Sequence, residues 1–293
     1  MPVAYLCCPA YPLANAQQTT AAVKHAEHLC SELGWRLELS PLLDRYPGPG
    51  AWLSANERAA DLSKALKHEV LIAARGGYGC VELAEVLAAH RGRWPIVIGY
   101  SDLTVIHAAA WQAQAPSGVY GFMPAVTTGP RAMATTLPLL SGATSVIGAA
   151  DGGTAVRPGV TSGRLFPACL RVLAGLVGTP LMPDLRGAML ALEDIDERPY
   201  RTDRDLQQLW QSGALNGISG LILGRFRCEL PTDYGGPRLI DLAATWAARL
   251  QVPCVAGVPF GHETDPISLG VGCPARLDIT THDWSLTMSP AAL

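Results

Sequence analysis

The first place in this chain where chemistry could sit is a serine at the end of a short apolar run. In Pro95-Ile96-Val97-Ile98-Gly99-Tyr100-Ser101-Asp102-Leu103-Thr104 the run meets a glycine, then Ser101, and a helical pattern begins at once. Such a strand–turn–helix junction lifts a hydroxyl clear of the sheet edge and sets the N–H groups of a helix start beside it. That is the geometry an acyl-transfer nucleophile needs. The G-x-S-x-G elbow is incomplete, because Leu103 stands where its second glycine would be, and a serine here also serves simply as an N-cap. A nucleophilic serine needs a base, and neutral imidazole is the usual one near pH 7. Of the seven histidines, His25, His28 and His107 fall in helical patterns, His68 and His90 near helix ends, and His282 in a turn. His262 differs: it follows Val258-Pro259-Phe260-Gly261 directly after a strand, in a loop rich in glycine and acids. It reads as the base or as a solvated loop histidine. The orienting carboxylate of such a relay would be Glu193, which closes the apolar run Ala188–Leu192 and opens Glu193-Asp194-Ile195-Asp196-Glu197. A cluster of acids is by default a solvated turn, but an acid that directly ends an apolar strand is drawn out of solvent.

A second candidate is Arg75-Gly76-Gly77-Tyr78-Gly79. It lacks the lysine of a phosphate loop and does not match G-x-G-x-x-G. Its glycines accept positive φ and let backbone approach a ligand closely. One N–H there, paired with that of Asp102, would make an oxyanion hole; the plainer reading is a tight strand–helix turn.

Strands and helices alternate through the first half and would position these groups. Strands are expected at Val3–Cys8, Arg36–Leu39, Val70–Ala74 and Ile96–Tyr100. Helices are expected over about 17–33, 54–67, 81–89 and 103–114, the second opened by the capping-box spacing Ser54-Ala55-Asn56-Glu57. Alternation with short turns predicts a doubly wound parallel sheet, whose site lies at the carboxyl ends of its strands. Both Arg75–Gly79 and Tyr100–Asp102 fall at such ends. From about Gly129 to Gly163 periodicity fails, and a linker over 131–163 is expected between a domain at 1–130 and another at 164–293. The second part is expected to hold helices near 165–177, 204–211 and 239–250 and strands at 188–192, 220–223, 253–256, 276–280 and 284–288. It reads as smaller and more sheet-rich.

Composition narrows the classes. The chain has 293 residues, 49% of them hydrophobic against 16% charged, ample for a real core. A net charge of −3 without a basic cluster argues against nucleic-acid partners. The start, Met1-Pro2-Val3-Ala4-Tyr5, carries no basic region or long apolar run, and no uncharged window of spanning length stands out, so a cytoplasmic protein away from the membrane is expected. Eight cysteines include no C-x-x-C pair, which points to reduced buried thiols rather than a zinc or redox site. No metal and no cofactor are expected.

With these blocks in view, the sequence resembles the LD-carboxypeptidases (muramoyltetrapeptide carboxypeptidases), a family that includes the microcin C immunity peptidases. The resemblance runs along essentially the whole chain. It is carried by Ala74-Arg75-Gly76-Gly77-Tyr78-Gly79, Ile98-Gly99-Tyr100-Ser101-Asp102-Leu103-Thr104 and the stretch from Leu192-Glu193-Asp194 through Arg198-Pro199-Tyr200-Arg201-Thr202-Asp203-Arg204. Gly220-Leu221-Ile222-Leu223-Gly224-Arg225-Phe226 and Gly257-Val258-Pro259-Phe260-Gly261-His262 complete it. It implies Ser101 as nucleophile, Glu193 and His262 as its relay, and the N–H groups of Gly77 and Asp102 as oxyanion donors. It also implies an α/β domain carrying the serine, followed by a smaller β-rich domain carrying the two helpers. Departures lie outside the triad: Ser162-Gly163-Arg164-Leu165 where the family usually shows Gly-Gly-Asn-Leu, Pro9-Ala10 for Pro-Ser, and Gly121-Phe122 for Gly-Pro.

The expectation is then a serine carboxypeptidase releasing the terminal D-alanine of muropeptide tetrapeptides in peptidoglycan recycling, and a homodimer. Arg75 or Arg204 would hold the substrate's terminal carboxylate. Two alternatives stand beside it: cleavage of peptidyl-aminoacyl nucleotides, as in the immunity branch, and a catalytically silent binding protein on the same scaffold.

Overall fold

Five short strands build the parallel part of the six-stranded first sheet of the computed structural model, which describes residues 1–46, 53–126 and 129–291. They are β1 (Val3–Cys7), β2 (Arg36–Leu39), β3 (Val70–Ala73), β4 (Ile96–Ile98) and β5 (Gly118–Tyr120). All pair in parallel, in the order β5-β4-β3-β1-β2. Parallel strands need crossovers, and the helices α1 (Ala16–Leu33), α2 (Ala55–Ala65), α3 (Ala84–Ala89) and α4 (Thr104–Gln112) supply them. β3 and β4 are buried at every residue, as strands covered on both faces must be. The helix ends are set locally. Asn15 accepts the Gln18 N–H at the start of α1, Gly34 closes it with φ 65°, and Ser54 and Glu57 form the expected capping box on α2.

After α5 (Pro130–Leu140) the chain builds an eight-stranded mixed sheet. Its strands are β6 (Ser145–Gly148), β7 (Thr154–Arg157), β8 (Gly159–Cys169), β9 (Ala188–Glu193), β10 (Gly220–Gly224), β11 (Cys254–Val258), β13 (Pro274–Ile279) and β14 (Trp284–Met288), while β12 (Leu269–Val271) turns back to pair antiparallel with β5 in the first sheet. The order is β6-β14-β13-β8-β9-β10-β11-β7, with β8 to β11 parallel. Helices α6 (Leu170–Ala174), α7 (Pro199–Gln211) and α8 (Leu239–Leu250) accompany it. The architecture is thus α/β with two sheets, as the sequence led us to expect.

Two local expectations change. The segment 131–163, expected as a linker, holds α5, β6, β7 and the start of β8. The helix expected from Leu165 is instead strand as far as Cys169, with only Leu170–Ala174 helical. The apolar run around Phe166 suits a buried strand as well as a helix. The parallel ladder to β9, from Arg164↔Ala188 to Cys169↔Glu193, decides it. All eight cysteines are free thiols, seven of them buried. Among the described residues no helix is long and apolar enough to cross a membrane.

Candidate active site

Ser101 sits where β4 turns into the helical segment that continues as α4, with a backbone φ of 65°. A non-glycine residue in this left-handed region is strained by about 1–3 kcal/mol and is held there only by its surroundings. Three features make the turn possible. Gly99 has φ 151° and faces Leu103 and Ala73 so closely that a Cβ there would lie 2.9 Å from Leu103 Cγ. The Ser101 N–H donates to Tyr120 Oη at 3.1 Å. Asp102, buried beside it, turns its carboxylate away from the hydroxyl and accepts the Cys80 N–H at 2.8 Å; burial raises its pKa.

From the second sheet come the other two groups. Glu193 ends β9 fully buried, and His262 lies in the loop after β11. His262 Nε2 is 3.0 Å from Ser101 Oγ. Its Nδ1 lies 2.8 Å from Glu193 Oε2, and its backbone N–H donates to the same oxygen at 3.0 Å. With Nδ1–H donated to a carboxylate, Nε2 is left as an acceptor facing the hydroxyl. Burial opposes a charged imidazole here, but the charge and hydrogen bond of Glu193, with Asp194 and Asp196 behind them, outweigh it, so the His262 pKa is raised. The ring edge of Tyr100 meets the imidazole at a centroid separation of 5.3 Å. Room for the carboxylate is made by two glycines: a Cβ on Gly224 would lie 2.7 Å from Glu193 Cβ, and one on Gly261 would overlap its carboxyl group.

The acids beside Glu193 do other things. Asp194 accepts the N–H groups of Arg171 and Ile195 at 2.8 and 2.9 Å, and burial lifts its pKa to about 6. Glu197 pairs with Arg201 four residues on. Of the acids in this run, Glu193 is the one bonded to the imidazole ring.

The loop after β3 closes against the serine. A Cβ on Gly76 would lie 3.1 Å from Ser101 Cβ. Gly77 has φ 126°, and the Tyr11 ring packs against it so closely that any side chain there would meet it at 2.5 Å. Buried Arg58 fixes the loop's far end, donating to Gly79 O at 2.7 Å and to Pro9 O at 3.0 Å.

The two arginines expected at the substrate have their described contacts elsewhere. Arg75 is half-buried, donates to Gly76 O and Pro12 O, and lies 5.7 Å from the Tyr11 ring centre. Arg204 is exposed on α7, 5.5 Å from the Tyr200 ring centre. Sequence reasoning missed Arg227, which donates to the backbone oxygen of His262 at 3.3 Å and lines an open cavity of about 630 Å³ with Ile195, Asp196, Arg198, Cys228 and Glu229. It also missed Tyr120, whose only local signal is a tyrosine closing a short apolar strand ahead of Gly121.

A hydroxyl, an imidazole and a buried carboxylate in one hydrogen-bonded chain can deprotonate the hydroxyl, hold the resulting imidazolium and return the proton to a leaving group. Residues 5–121 match the LD-carboxypeptidase N-terminal domain and residues 162–277 the LD-carboxypeptidase C-terminal domain. A protein of Streptomyces coelicolor named as a carboxypeptidase is 36% identical over 81% of this chain and 78% of its own. The murein tetrapeptide carboxypeptidase of Pseudomonas aeruginosa is 29% identical over 64% of this chain and 65% of its own. Among solved structures, a muramoyltetrapeptide carboxypeptidase from Oxalobacter formigenes superposes with a TM-score of 0.80 at 24% identity, covering 98% of this chain and 99% of the other. MccF in complex with glutamyl sulfamoyl guanosine superposes with a TM-score of 0.78 at 17% identity, over 100% and 97%. Matched along both of its halves, this chain belongs to the LD-carboxypeptidase family.

Proposed function

We propose that the protein is a serine LD-carboxypeptidase that removes the terminal D-alanine from murein tetrapeptides by cleaving the bond after the third residue. The observation that carries the reading is the unbroken chain from Ser101 Oγ through His262 to Glu193, at 3.0 and 2.8 Å, with its serine on a strained turn. Ser101 Oγ attacks the scissile carbonyl carbon while His262 Nε2 takes its proton. The tetrahedral oxyanion is held by the backbone N–H groups of Gly77 and Asp102. Collapse breaks the C–N bond, and the imidazolium gives its proton to the departing D-alanine amine. Water, deprotonated by His262, then hydrolyses the ester on Ser101. Glu193 keeps Nδ1 protonated throughout. The substrate's terminal carboxylate needs a cation; Arg75 and Arg204 remain candidates, and Arg227, bonded to the backbone of the base, is the better placed. The reading carries with it a peptidoglycan-recycling role in the cytoplasm, a homodimer, and no nucleic-acid or membrane partner.

A second reading keeps the serine chemistry and changes the substrate to a peptidyl-aminoacyl nucleotide. It is supported by the likeness to MccF bound to a glutamyl nucleoside analogue. Purified protein offered a murein tetrapeptide and a peptidyl-aminoacyl nucleotide side by side separates the two. Release of D-alanine supports the first, and turnover of the nucleotide conjugate alone replaces it with the second.

A further inference from the structure

Tyr120 ends β5 with its side chain fully buried, and its hydroxyl joins the two halves of the site. It accepts the Ser101 N–H at 3.1 Å and donates to Glu193 Oε1 at 2.7 Å. The carboxylate has two oxygens: Oε2 takes both N–H groups of His262, and Oε1 takes the phenol. The hydroxyl therefore closes a ring of hydrogen bonds running Ser101 Oγ, His262, Glu193, Tyr120 and back to the Ser101 backbone. Within that ring Ser101 and Tyr120 come from the first sheet, Glu193 and His262 from the second.

We propose that Tyr120 is a positioning residue for the serine relay: it holds the strained Ser101 turn against Glu193 and confines the carboxylate to the orientation in which Oε2 faces the imidazole. The proposal rests on the serine-relay reading above. Three physical points support it. A residue at φ 65° relaxes unless something retains it, and its amide is anchored on a side chain from another strand. A buried carboxylate oxygen left without a donor is costly, so Oε1 would rotate in search of one if the phenol were absent. The phenol stays protonated and able to donate, because burial and the nearby Glu193 push its pKa far upward. The ring is itself clamped between Tyr100, His107 and Phe260, at centroid separations of 5.9, 6.0 and 6.4 Å. The position of its oxygen is thus set by packing.

Tyr120→Phe keeps the ring and removes only the bridging oxygen. The ionisable groups facing the relay are Glu193, Asp194, Asp196 and Cys169 from the second sheet and its turn, Tyr100 and Tyr120 from the first, and the Arg227 guanidinium at the His262 carbonyl. With the phenol gone the carboxylate turns from the imidazole, its bond to Nδ1 weakens and the imidazolium is less favoured. The expected result is a fall in kcat of about 10- to 100-fold, matching the ~1–3 kcal/mol of an unpaired buried group, with KM within about threefold. The acidic limb of the pH profile of kcat/KM should move to lower pH.

Packing loss would not move that limb. The same comparison is made on Glu193→Gln, following the rate of fluorophosphonate attachment to Ser101. If Tyr120 works through the carboxylate, Tyr120→Phe should slow labelling far less in that background than in wild type. Wild-type kcat in Tyr120→Phe, an unmoved acidic limb, or an equal slowing in both backgrounds would each overturn the proposal. Labelling needs no peptide, so a failure of the murein tetrapeptide reading appears separately, as wild-type protein that labels at Ser101 but releases no D-alanine.

Discussion

Gly261→Ala is the sharpest perturbation of the relay that leaves all its chemical groups in place. Gly261 has φ 82°, and a Cβ there would overlap the Glu193 carboxyl carbon and Oε2. Glu193 is fully buried, with Tyr120 bonded to Oε1, so it has no free space into which to retreat. The carboxylate must therefore swing and give up the bonds to His262 Nδ1 and N–H, 2.8 and 3.0 Å long. Alanine at positive φ costs about 1 kcal/mol, and losing hydrogen bonds to a buried charge about 1.5–3 kcal/mol. The sum, about 2.5–4 kcal/mol, corresponds to a fall in Tm of roughly 5–16 °C. Displacing the group that orients the base should lower kcat by about 10,000-fold, as removal of the orienting acid does in serine triads. Gly257→Ala is the control. It has φ 81° in β11, where a Cβ would meet only the Gly153 backbone at 3.7 Å. It should lose about 1 kcal/mol and keep near-wild-type D-alanine release. Melting curves and a D-alanine release assay on both variants decide the matter. Gly261→Ala activity within tenfold of wild type, or equal losses in the two variants, would refute the placement of Glu193 in the relay.

Glu193→Gln should cost about 10,000-fold in kcat, whereas Asp194→Asn should retain most activity, since Asp194 serves the Arg171 and Ile195 amides and not the imidazole; matching losses in parallel rate measurements would overturn that division. The kcat/KM profile should rise with pH through an ionisation above 6.5, because only neutral His262 accepts the serine proton and its pKa is raised; a limb at or below 6.5 would contradict it. The sign for stability is the reverse: the favoured imidazolium contributes below pH 6.5 and that contribution is lost as pH rises through the folded value, which unfolding curves of wild type and His262→Ala would show. Asp102→Ala should unpair the buried Cys80 N–H and lower kcat roughly 10- to 100-fold, from ~1–3 kcal/mol passed on to the Gly77 loop; a change in KM alone would show that the loop serves binding instead. A serine relay supplies its own base and nucleophile, so prolonged chelation should leave the rate unchanged; activity lost to the chelator and restored by zinc would discard the relay.

The parts of this site legible in the sequence were those with a local reason to stand out. Ser101 interrupts an apolar strand at a glycine, Glu193 ends another, and His262 follows Gly261 after a third. Groups that depend on distant pairing were not legible. Tyr120 looks like the last residue of a core strand, and only the register of β5 beside β4 brings its hydroxyl under Ser101. Arg227 joins the site through a bridge to Ile195 and a bond to His262, neither of which its neighbours announce. The strands within 145–163 pair with β11, β13 and β14, about a hundred or more residues later. They are edge or half-exposed strands with little apolar alternation, so a reading of local periodicity took them for a linker. The helix expected at Leu165 failed for a related reason: a short apolar run fits both states, and the ladder to β9 chose strand.

The central claim is that Ser101, activated by His262, is the nucleophile that releases D-alanine. Incubating wild type and Ser101→Ala with a murein tetrapeptide, and quantifying tripeptide and free D-alanine over time, tests it most directly. The exposed edge of the hydroxyl contributes little to folding, so the variant should melt as wild type does. Wild type should release D-alanine steadily, and Ser101→Ala none above a few per cent of that. Substantial release by a folded Ser101→Ala protein would contradict it.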